Sequence, residues 1–317
     1  MSRAQDEIRL SPEDFRLLRE LFNQHCGLQF APESRLSVER RLRERVAVLG
    51  LRSFHEYHDY LRNHPRGRAE LDEALDVVTV NETYFFREDY QLRALKDEIV
   101  PKIVEAGGAK TRLSIWSAGC STGEEVYSIA MVAHEAGLTA SREVRIFGTD
   151  ISRRCIAAAR RGVYGPGAFR TLPAEMRRRY FQERADGAHV GDELRAMCQF
   201  GHLNLLDADR VAVVGRVDII FCRNVLIYFD EASRRKVIEK VLYERLWPGG
   251  FLLLGHSESL LNVSTAFEMV HLREDLVYRR PAAAVRLGAS DAGAGAGAGP
   301  GPGASGKPPF QKPTPSV

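Results

Sequence analysis

Polar residues and glycines follow several predicted β-strands, at points where they could bind a ligand. The strand RLSIWSAG leads into residues 117–125 (SAGCSTGEE), where two glycines let the backbone pass close to a ligand. This loop is not a Walker A phosphate loop, because Gly123 is followed by Glu124 rather than by lysine and then serine or threonine. Its glycine spacing also differs from the GxGxxG dinucleotide motif. Two acids at the start of a helix favour a ligand that is cationic or has hydroxyl groups to bind.

The same two acids have a structural interpretation, which the residues alone leave open. Thr122 with Glu125, and Ser121 with Glu124, both have the three-residue spacing of a capping box. In that interpretation the carboxylates stabilise the helix N-terminus and do not contact a ligand.

Three further predicted strand ends carry candidate binding residues. Asp150 ends the strand VRIFGTD, where an acid is well placed to accept both hydroxyls of a ribose. The alternative role for Asp150 is to cap the helix that begins near Ser152. Arg223 follows the apolar run VDIIFC, so its charge must meet an anion, a cluster of carbonyls or an acid at the end of the sheet. The other candidates at strand ends are Asn204, Leu205, Asn224 and Tyr228.

Residues 81–88 (NETYFFRE) precede the first predicted strand of the sheet. Asn81, Thr83 and Arg87 stand beside three aromatic residues in this short segment. Because the segment joins a helical region to the sheet, we expect it to pass over the ligand cleft as a lid.

The elements that must position these residues form two regions. Residues 1–80 are typical of an all-helical region, which begins with Ser11 as N-cap and Pro12 in the first turn. After about residue 112, buried strands alternate with amphipathic helices, which predicts a parallel sheet covered on both faces. Such sheets bind ligands beyond the C-terminal ends of their strands. The polar stretch over 174–199 is typical of a small inserted subdomain.

Composition excludes several classes of protein. The 317 residues include 45 Lys and Arg against 42 Asp and Glu, with 44% hydrophobic and 27% charged residues, as in a globular protein. No run approaches the roughly 18 apolar residues of a membrane span, and the N-terminus has no apolar core for a secretory signal. The five cysteines are scattered without a CxxC pair, so we expect no disulfide framework, no metal site and a cytoplasmic location.

The net charge of +3 conceals a basic segment over residues 35–68, where nine arginines face four acids. The run RLSVERRLRERVAVLG predicts a helix that ends near Gly50, with arginines on its outer face. Its predicted apolar stripe consists of Leu36, Leu42, Val46 and Leu49. The arginines form either a solvated helix face or a docking surface for an acidic partner. No nucleic-acid-binding motif accompanies them.

Residues 282–317 have a different composition from the rest of the chain. They contain eight glycines, six prolines and nine alanines among 36 residues, and few large apolar side chains. Such a segment cannot offset its ordering entropy, so we expect a disordered tether.

Six segments of the chain carry a combined signal: NETYFFRE (81–88), IWSAGCSTGEEVYSIAM (115–131), GTDIS (148–152), HLNLL (202–206), DIIFCRNVLIYF (218–229) and LWPGGFLLLGHSESL (246–260). Taken together, they resemble the CheR family of S-adenosylmethionine-dependent methyltransferases, which esterify glutamates on bacterial chemoreceptors. The segments follow the order of the family and lie within residues 10–280, which leaves the tail outside.

The resemblance implies a class I methyltransferase fold: a doubly wound α/β sheet of seven strands, an N-terminal all-helical domain and a small inserted β-subdomain. The implied divisions are 1–80 (helical, receptor-docking), 81–111 (linker and lid), 112–281 (S-adenosylmethionine-binding, with the insert at 174–199) and 282–317 (tail).

It also implies the site. The residues that would bind S-adenosylmethionine or line its cleft are Asn81, Thr83, Arg87, Glu125, Asp150, Asn204, Leu205, Arg223 and Asn224. Arg87 and Tyr228 would lie nearest to the transferring methyl and the substrate carboxylate. Glu124 stays an alternative to Glu125.

The implied partner is the cytoplasmic domain of a methyl-accepting chemotaxis receptor, methylated by a monomeric enzyme without direct membrane insertion. The arginine-rich helix would dock on the acidic receptor through Arg40, Arg41, Arg43 and Arg45. Two other functions stay open: methylation of a different acidic acceptor, and a non-catalytic module that senses the cofactor or docks on receptors. A nicotinamide dehydrogenase is disfavoured by the glycine spacing.

Overall fold

The computed structural model of the chain describes residues 8–107, 112–141 and 143–282. The expected tail over 282–317 lies outside these ranges except for its first residue. No helix within these ranges is long and apolar enough to cross a membrane.

The first four helices of the described chain pack around a core of their own. Ser11 caps the first helix, because its hydroxyl accepts a hydrogen bond from the backbone N–H of Asp14 at 3.0 Å. Gly27 ends the helix with a left-handed φ of 73°. The helices are α1 (Pro12–Cys26), α2 (Arg35–Val48), α3 (Phe54–Asn63) and α4 (Gly67–Val78). Their fully buried side chains include Leu18, Phe22, Leu42, Phe54 and Tyr57.

The buried face of α2 differs from the predicted stripe. Val38, Leu42 and Val46 are buried and follow one another at intervals of four residues. Leu36 is 65% exposed, so its assignment to the stripe is wrong. Two residues before Val38, it lies about 200° away around the helix and faces solvent.

Most of the arginines on α2 are held within the molecule. Arg41 donates to two backbone carbonyls at the end of α4, at 2.9 and 3.1 Å. Arg43 pairs with an acid of its own helix at 2.6 Å, and Arg45 pairs with Glu70 of α4 at 2.5 Å. Of the four arginines expected to dock a receptor, only Arg40 is exposed, and the other three are partly buried.

Within the described residues, the sheet has seven strands: β1 (Arg112–Ala118), β2 (Glu143–Asp150), β6 (Cys198–His202), β7 (Val217–Cys222), β8 (Leu246–Leu254), β9 (Glu268–His271) and β10 (Leu276–Arg279). Six of them run in the same direction, and β10, next to the edge strand β9, is antiparallel to both of its neighbours. The strand order is β6-β2-β1-β7-β8-β10-β9. All six residues of β7 are buried, as expected for a central strand covered on both faces. The chain continues from β1 through β2 to β6 on one side of β1 and then crosses to β7 on the other side. Such sheets open a ligand crevice where the strand order reverses in this way.

Helices cover the sheet and connect its strands. The helix before β1 consists of α5 and α6 joined by a wider turn at Leu95–Ile99, and a similar turn at Val237–Leu242 joins α13 to α14. The helices are α5 (Asp89–Ala94), α6 (Val100–Gly107), α7 (Glu124–Glu135), α8 (Leu138–Ser141), α9 (Arg153–Arg161), α10 (Ala174–Tyr180), α11 (Asp192–Arg195), α12 (Ala208–Val211), α13 (Glu231–Lys236) and α14 (Tyr243–Arg245).

A small antiparallel sheet stands apart from the main one. Its strands are β3 (Val163–Tyr164), β4 (Phe181–Arg184) and β5 (Gly187–Val190), in the order β3-β5-β4. This confirms a small β-subdomain. Its first strand precedes the stretch predicted at 174–199, and β6 of the main sheet begins within that stretch, at Cys198.

Candidate active site

A cavity of about 430 Å³ lies at the C-terminal ends of β1, β2, β6 and β7. All ten residues expected at the site line it, although they come from five separate segments of the chain. They are Asn81, Thr83, Arg87, Glu125, Asp150, Asn204, Leu205, Arg223, Asn224 and Tyr228. The sheet brings them together because its parallel strands end at one edge.

The loop between β1 and α7 forms the floor of the cavity. Gly119 and Gly123 have left-handed φ values of 84° and 97°, and Ser121 adopts a φ of 48°. A Cβ atom on Gly119 would lie 2.3 Å from a methyl carbon of Val225, so the loop after β7 packs directly on this glycine. Both positions therefore require glycine because of their backbone conformation, and Gly119 also because of the close approach of the two loops.

Replacement of Gly119 by alanine is expected to destabilise the fold by about 2–4 kcal/mol, because a left-handed φ and an overlap with Val225 are both unfavourable. Gly165→Ala is the matched control, since a Cβ there meets nothing within 4 Å. Urea unfolding of both variants measures the difference. Equal stability of Gly119→Ala and the unsubstituted chain would mean that the two loops separate at little cost.

Glu125 and Glu124 have different surroundings. Glu125 lines the cavity and accepts a hydrogen bond from the Ser117 hydroxyl at 2.7 Å. Glu124 is buried away from the cavity and accepts from the Thr122 hydroxyl at 2.6 Å. Neither predicted capping box forms, because Gly123 is the N-cap of α7 and no side chain caps this helix.

Asp150 is buried at the end of β2 and lines the same cavity. Its two carboxylate oxygens accept hydrogen bonds from the backbone N–H groups of Ser121, at 2.8 Å, and Ser152, at 2.9 Å. Burial raises the pKa of Asp150, and these two N–H groups oppose the shift. The N-cap of α9 is Ser152, whose hydroxyl accepts from the Cys155 N–H. Capping of α9 therefore does not explain why an acid stands at Asp150.

Arg223 lines the cavity and forms ion pairs with two acids. Its side chain is only 3% exposed and lies 3.3 Å from Glu125 and 3.2 Å from Glu88. It also donates to the backbone carbonyl of Arg87 at 2.5 Å. Burial raises the pKa of Glu125, and the Arg223 guanidinium opposes that shift. The sequence left open whether Arg223 meets an acid or a carbonyl, and it meets both.

The segment over 81–88 is fastened along its length. The Ser121 hydroxyl donates to the Asn81 carbonyl at 3.2 Å, and the Phe86 N–H donates to Ser128 of α7 at 3.0 Å. The ring of Phe85 is fully buried against three aromatic rings, those of Tyr164, Phe169 and Phe181. These contacts hold the backbone of the segment across the cavity and present Asn81, Thr83 and Arg87 to it.

Left-handed backbone conformations concentrate around this cavity. Of the five non-glycine residues with positive φ in the described ranges, four lie in the segments that form it: Phe86, Glu88, Ser121 and Asn224. Such conformations are unfavourable for residues with a Cβ and persist where surrounding contacts enforce them.

One wall of the cavity was not expected from the sequence. Residues 28–31, which follow α1, line it and pair with the loop after β7. The Gln29 N–H donates to the Tyr228 carbonyl at 2.8 Å, so the helical region contributes directly to the site. The one local signal is Gly27, whose left-handed conformation turns the chain out of α1.

Comparison with known proteins identifies the family. Residues 81–276 match the CheR methyltransferase, SAM binding domain, and residues 13–79 match the CheR methyltransferase, all-alpha domain. The chain belongs to the CheR methyltransferase family. Chemotaxis protein methyltransferase 2 of Vibrio cholerae is 37% identical over 278 residues, which cover 87% of this chain and 96% of that protein. Chemotaxis protein methyltransferase 1 of Pseudomonas aeruginosa is 35% identical over 272 residues, or 84% of this chain and 97% of that one.

Membership of the CheR family confirms the expected fold and cofactor. The chain is an S-adenosylmethionine-dependent methyltransferase of chemotaxis, with an N-terminal helical domain and a class I methyltransferase sheet. Among the described residues, no group of three or more His, Cys, Asp or Glu is arranged to hold a metal ion.

The charges of the cavity suit this cofactor in a CheR-family chain. The charged residues that line it within the described ranges are Glu82, Arg87, Glu125, Asp150 and Arg223, with one negative charge in excess. S-adenosylmethionine carries a sulfonium, an ammonium and a carboxylate, and is therefore a net cation. A buried carboxylate at the end of β2 is also the usual partner of ribose hydroxyls in this type of sheet. The donor set and its charge thus fit the cofactor.

Proposed function

We propose that the chain transfers the methyl group of S-adenosylmethionine to glutamate side-chain carboxylates on the cytoplasmic domain of methyl-accepting chemotaxis receptors. The products are glutamate methyl esters and S-adenosylhomocysteine. The observation that carries this proposal is that all ten residues matched to the family motif line one cavity at the switch point of the sheet. The relatives named above are chemotaxis protein methyltransferases, which supports a receptor as the acceptor.

In this proposal the cofactor contacts are divided between the floor and walls of the cavity. Asp150 accepts the ribose hydroxyls, and Glu125 binds a polar group of the cofactor. Leu205 forms part of the apolar wall of the cavity, and Asn204 fixes the shape of that wall. The Asn204 amide already donates to the His25 carbonyl at 2.8 Å and accepts from the Leu206 N–H at 3.0 Å, so its side chain is committed to the protein.

The reaction needs alignment and not a catalytic base. A glutamate carboxylate is already ionised at neutral pH, so no proton has to leave before it attacks a methyl carbon. Within the described residues, the cavity lining includes neither histidine nor lysine. The bound cofactor supplies the electrophilic methyl on its sulfonium. Arg87 orients the acceptor carboxylate and Tyr228 lies beside it, while the walls exclude water so that position and orientation lower the barrier.

A labelling assay tests the proposed reaction. Purified chain, S-adenosylmethionine with a tritiated methyl group and a receptor cytoplasmic fragment should give labelled receptor that loses its label in mild base, because methyl esters hydrolyse there. Label that survives base would mean methylation of another group, and no label would favour a non-catalytic module.

We further infer that the helical domain over 1–80 docks on the acidic receptor and that 81–111 acts as linker and lid to a catalytic domain over 112–281. The protein acts as a monomer in the cytoplasm in this view. Since Arg41, Arg43 and Arg45 are held within the molecule, Arg40 is the arginine of α2 best placed to meet a partner.

Charge reversal at Arg40 tests the docking. Arg40→Glu is expected to raise the KM for the receptor fragment about tenfold at low salt, with kcat unchanged, and the difference should shrink as salt screens the charges. Lys102→Glu, an exposed cation on α6, serves as control. Steady-state kinetics at two ionic strengths measures both variants. Equal KM values for Arg40→Glu and the control at low salt would remove α2 from the docking surface.

A further inference from the structure

The loop that follows β7 carries three residues of the proposed site, Arg223, Asn224 and Tyr228, but has little regular structure of its own. Asn224 has a left-handed φ of 57°, and a single 3₁₀ turn, Leu226–Tyr228, follows it. Such a loop has several accessible conformations unless other groups hold it. Its geometry therefore depends on contacts from elsewhere in the chain.

One carboxylate from outside the cavity lining holds this loop. One oxygen of Glu258 accepts from the N–H groups of Asn224, at 2.7 Å, and Gly255, at 2.8 Å. Its other oxygen accepts from Val225, at 2.9 Å, and Ile227, at 3.2 Å. Glu258 thus joins the end of β8 to three backbone N–H groups of the loop after β7.

The chemistry of this contact calls for an ionised carboxylate. All four groups are donors, and an ionised carboxylate is an acceptor with about four lone-pair sites. In a glutamine of the same shape, an NH₂ group would replace one of the two carboxylate oxygens and face backbone N–H donors. The two hydrogen bonds that this oxygen accepts would then be lost. Burial raises the pKa of Glu258, and the backbone N–H groups oppose the shift.

Gly255 makes room for the carboxylate. A Cβ at this position would lie 2.8 Å from both the backbone nitrogen and the side-chain nitrogen of Asn224, and 2.9 Å from Oε2 of Glu258. Its φ is not in the left-handed region, so alanine is allowed there by the backbone and opposed by these contacts with Asn224 and Glu258.

We propose that Glu258 is a positioning residue for methyl transfer: it fixes the loop after β7 so that Asn224 faces the cofactor and Tyr228 faces the acceptor carboxylate. This inference rests on the proposed function for the role of Tyr228. The loop also packs against Gly119 through Val225 and against residue 29 through Tyr228. Release of the carboxylate would therefore loosen the cavity on its acceptor side without removing any lining residue.

Glu258→Gln tests the proposal, with Glu268→Gln as control, because Glu268 is an exposed acid on β9, at the edge of the sheet. We expect kcat to fall about tenfold or more in Glu258→Gln and to stay unchanged in the control. Amide hydrogen exchange should quicken in residues 224–228 and stay unchanged in α7. Since rates are expressed per folded molecule, a residue that only supports stability would leave kcat unmoved.

Two further variants keep the result interpretable. Gly255→Ala should also lower kcat although Glu258 keeps its charge, because its Cβ would displace both the Glu258 carboxylate and Asn224. It replaces Glu258→Gln if the latter does not fold, with amide exchange in residues 224–228 as the readout. In a Tyr228→Phe background, Glu258→Gln should cost much less than it does alone, because both substitutions remove the same contribution. Multiplicative effects of the two substitutions, or unchanged exchange in residues 224–228, would overturn the inference. Amide exchange needs no acceptor, so it tests Glu258 even if the receptor proves not to be the substrate.

Discussion

Replacement of Arg87 by alanine is expected to lower kcat for receptor methylation about a hundredfold, while the Kd for S-adenosylmethionine changes by less than about threefold. The anionic carboxylate and the cationic sulfonium neutralise each other as the carboxylate attacks the methyl group. A further strong fixed charge beside that of Arg87 would therefore not assist the reaction. One guanidinium that orients the acceptor suffices. Arg87 lines the cavity, and its side chain donates to the Glu82 carbonyl at 3.0 Å, which holds it within the lid segment.

Single-turnover kinetics and calorimetry separate the two quantities for Arg87→Ala. Arg93→Ala is the matched control, because Arg93 lies six residues along the chain and pairs with Asp89 and Glu274 at the surface. Tyr228→Phe should also lower kcat, and by a larger factor than it changes the Kd for S-adenosylmethionine. A large and equal loss of cofactor affinity in either variant would assign that residue to the cofactor and leave the acceptor without its proposed ligand.

Asp150→Ala should lower the affinity for S-adenosylmethionine more than it lowers kcat, which is the reverse of the pattern expected for Arg87→Ala. Hydrogen bonds to a charged group contribute about 1.5–3 kcal/mol, so we expect the Kd for S-adenosylmethionine to rise roughly 10- to 100-fold. Asp150→Asn should lose less, because it keeps one acceptor oxygen towards the ribose. Isothermal titration with S-adenosylmethionine or S-adenosylhomocysteine measures the change.

Asp207→Ala provides the comparison for a purely local role of Asp150. Asp207 is the N-cap of α12 and accepts from the Arg210 N–H, and it lies outside the cavity lining. Asp207→Ala should lower the free energy of unfolding slightly and leave the Kd for S-adenosylmethionine unchanged. Unchanged cofactor binding in Asp150→Ala would reduce Asp150 to a support for the backbone of Ser121 and Ser152.

The sheet and the positions of the candidate residues followed from sequence because both depend on local patterns. Apolar runs such as VDIIFC predict buried parallel strands, and the edge at which such strands end is fixed by geometry. That is why Asp150, Asn204 and Arg223, far apart in sequence, could be assigned to one cleft. The family resemblance added the roles of Asn81, Thr83 and Arg87, which no periodicity indicates.

Features that depend on contacts between distant segments could not be predicted. Leu36 fits an apolar stripe by residue type, yet the buried row of α2 runs through Val38 because of how this helix packs on its neighbours. The capping boxes failed because the left-handed Gly123, rather than Ser121 or Thr122, ends the loop before α7. Arg41 shows the same limit, since its charge suggested a free docking face and its partners are carbonyls at the end of α4.

In the proposed reaction, this cavity delivers a methyl group to glutamate side chains of a chemoreceptor. Peptide mass spectrometry of a receptor cytoplasmic fragment, incubated with the chain and S-adenosylmethionine, tests it most directly, with Asp150→Ala as the impaired enzyme. We expect methyl groups on glutamate side chains, lost on base treatment and strongly reduced with the variant. Methylation confined to other residue types, or glutamate methylation that is unaffected by Asp150→Ala, would contradict the account.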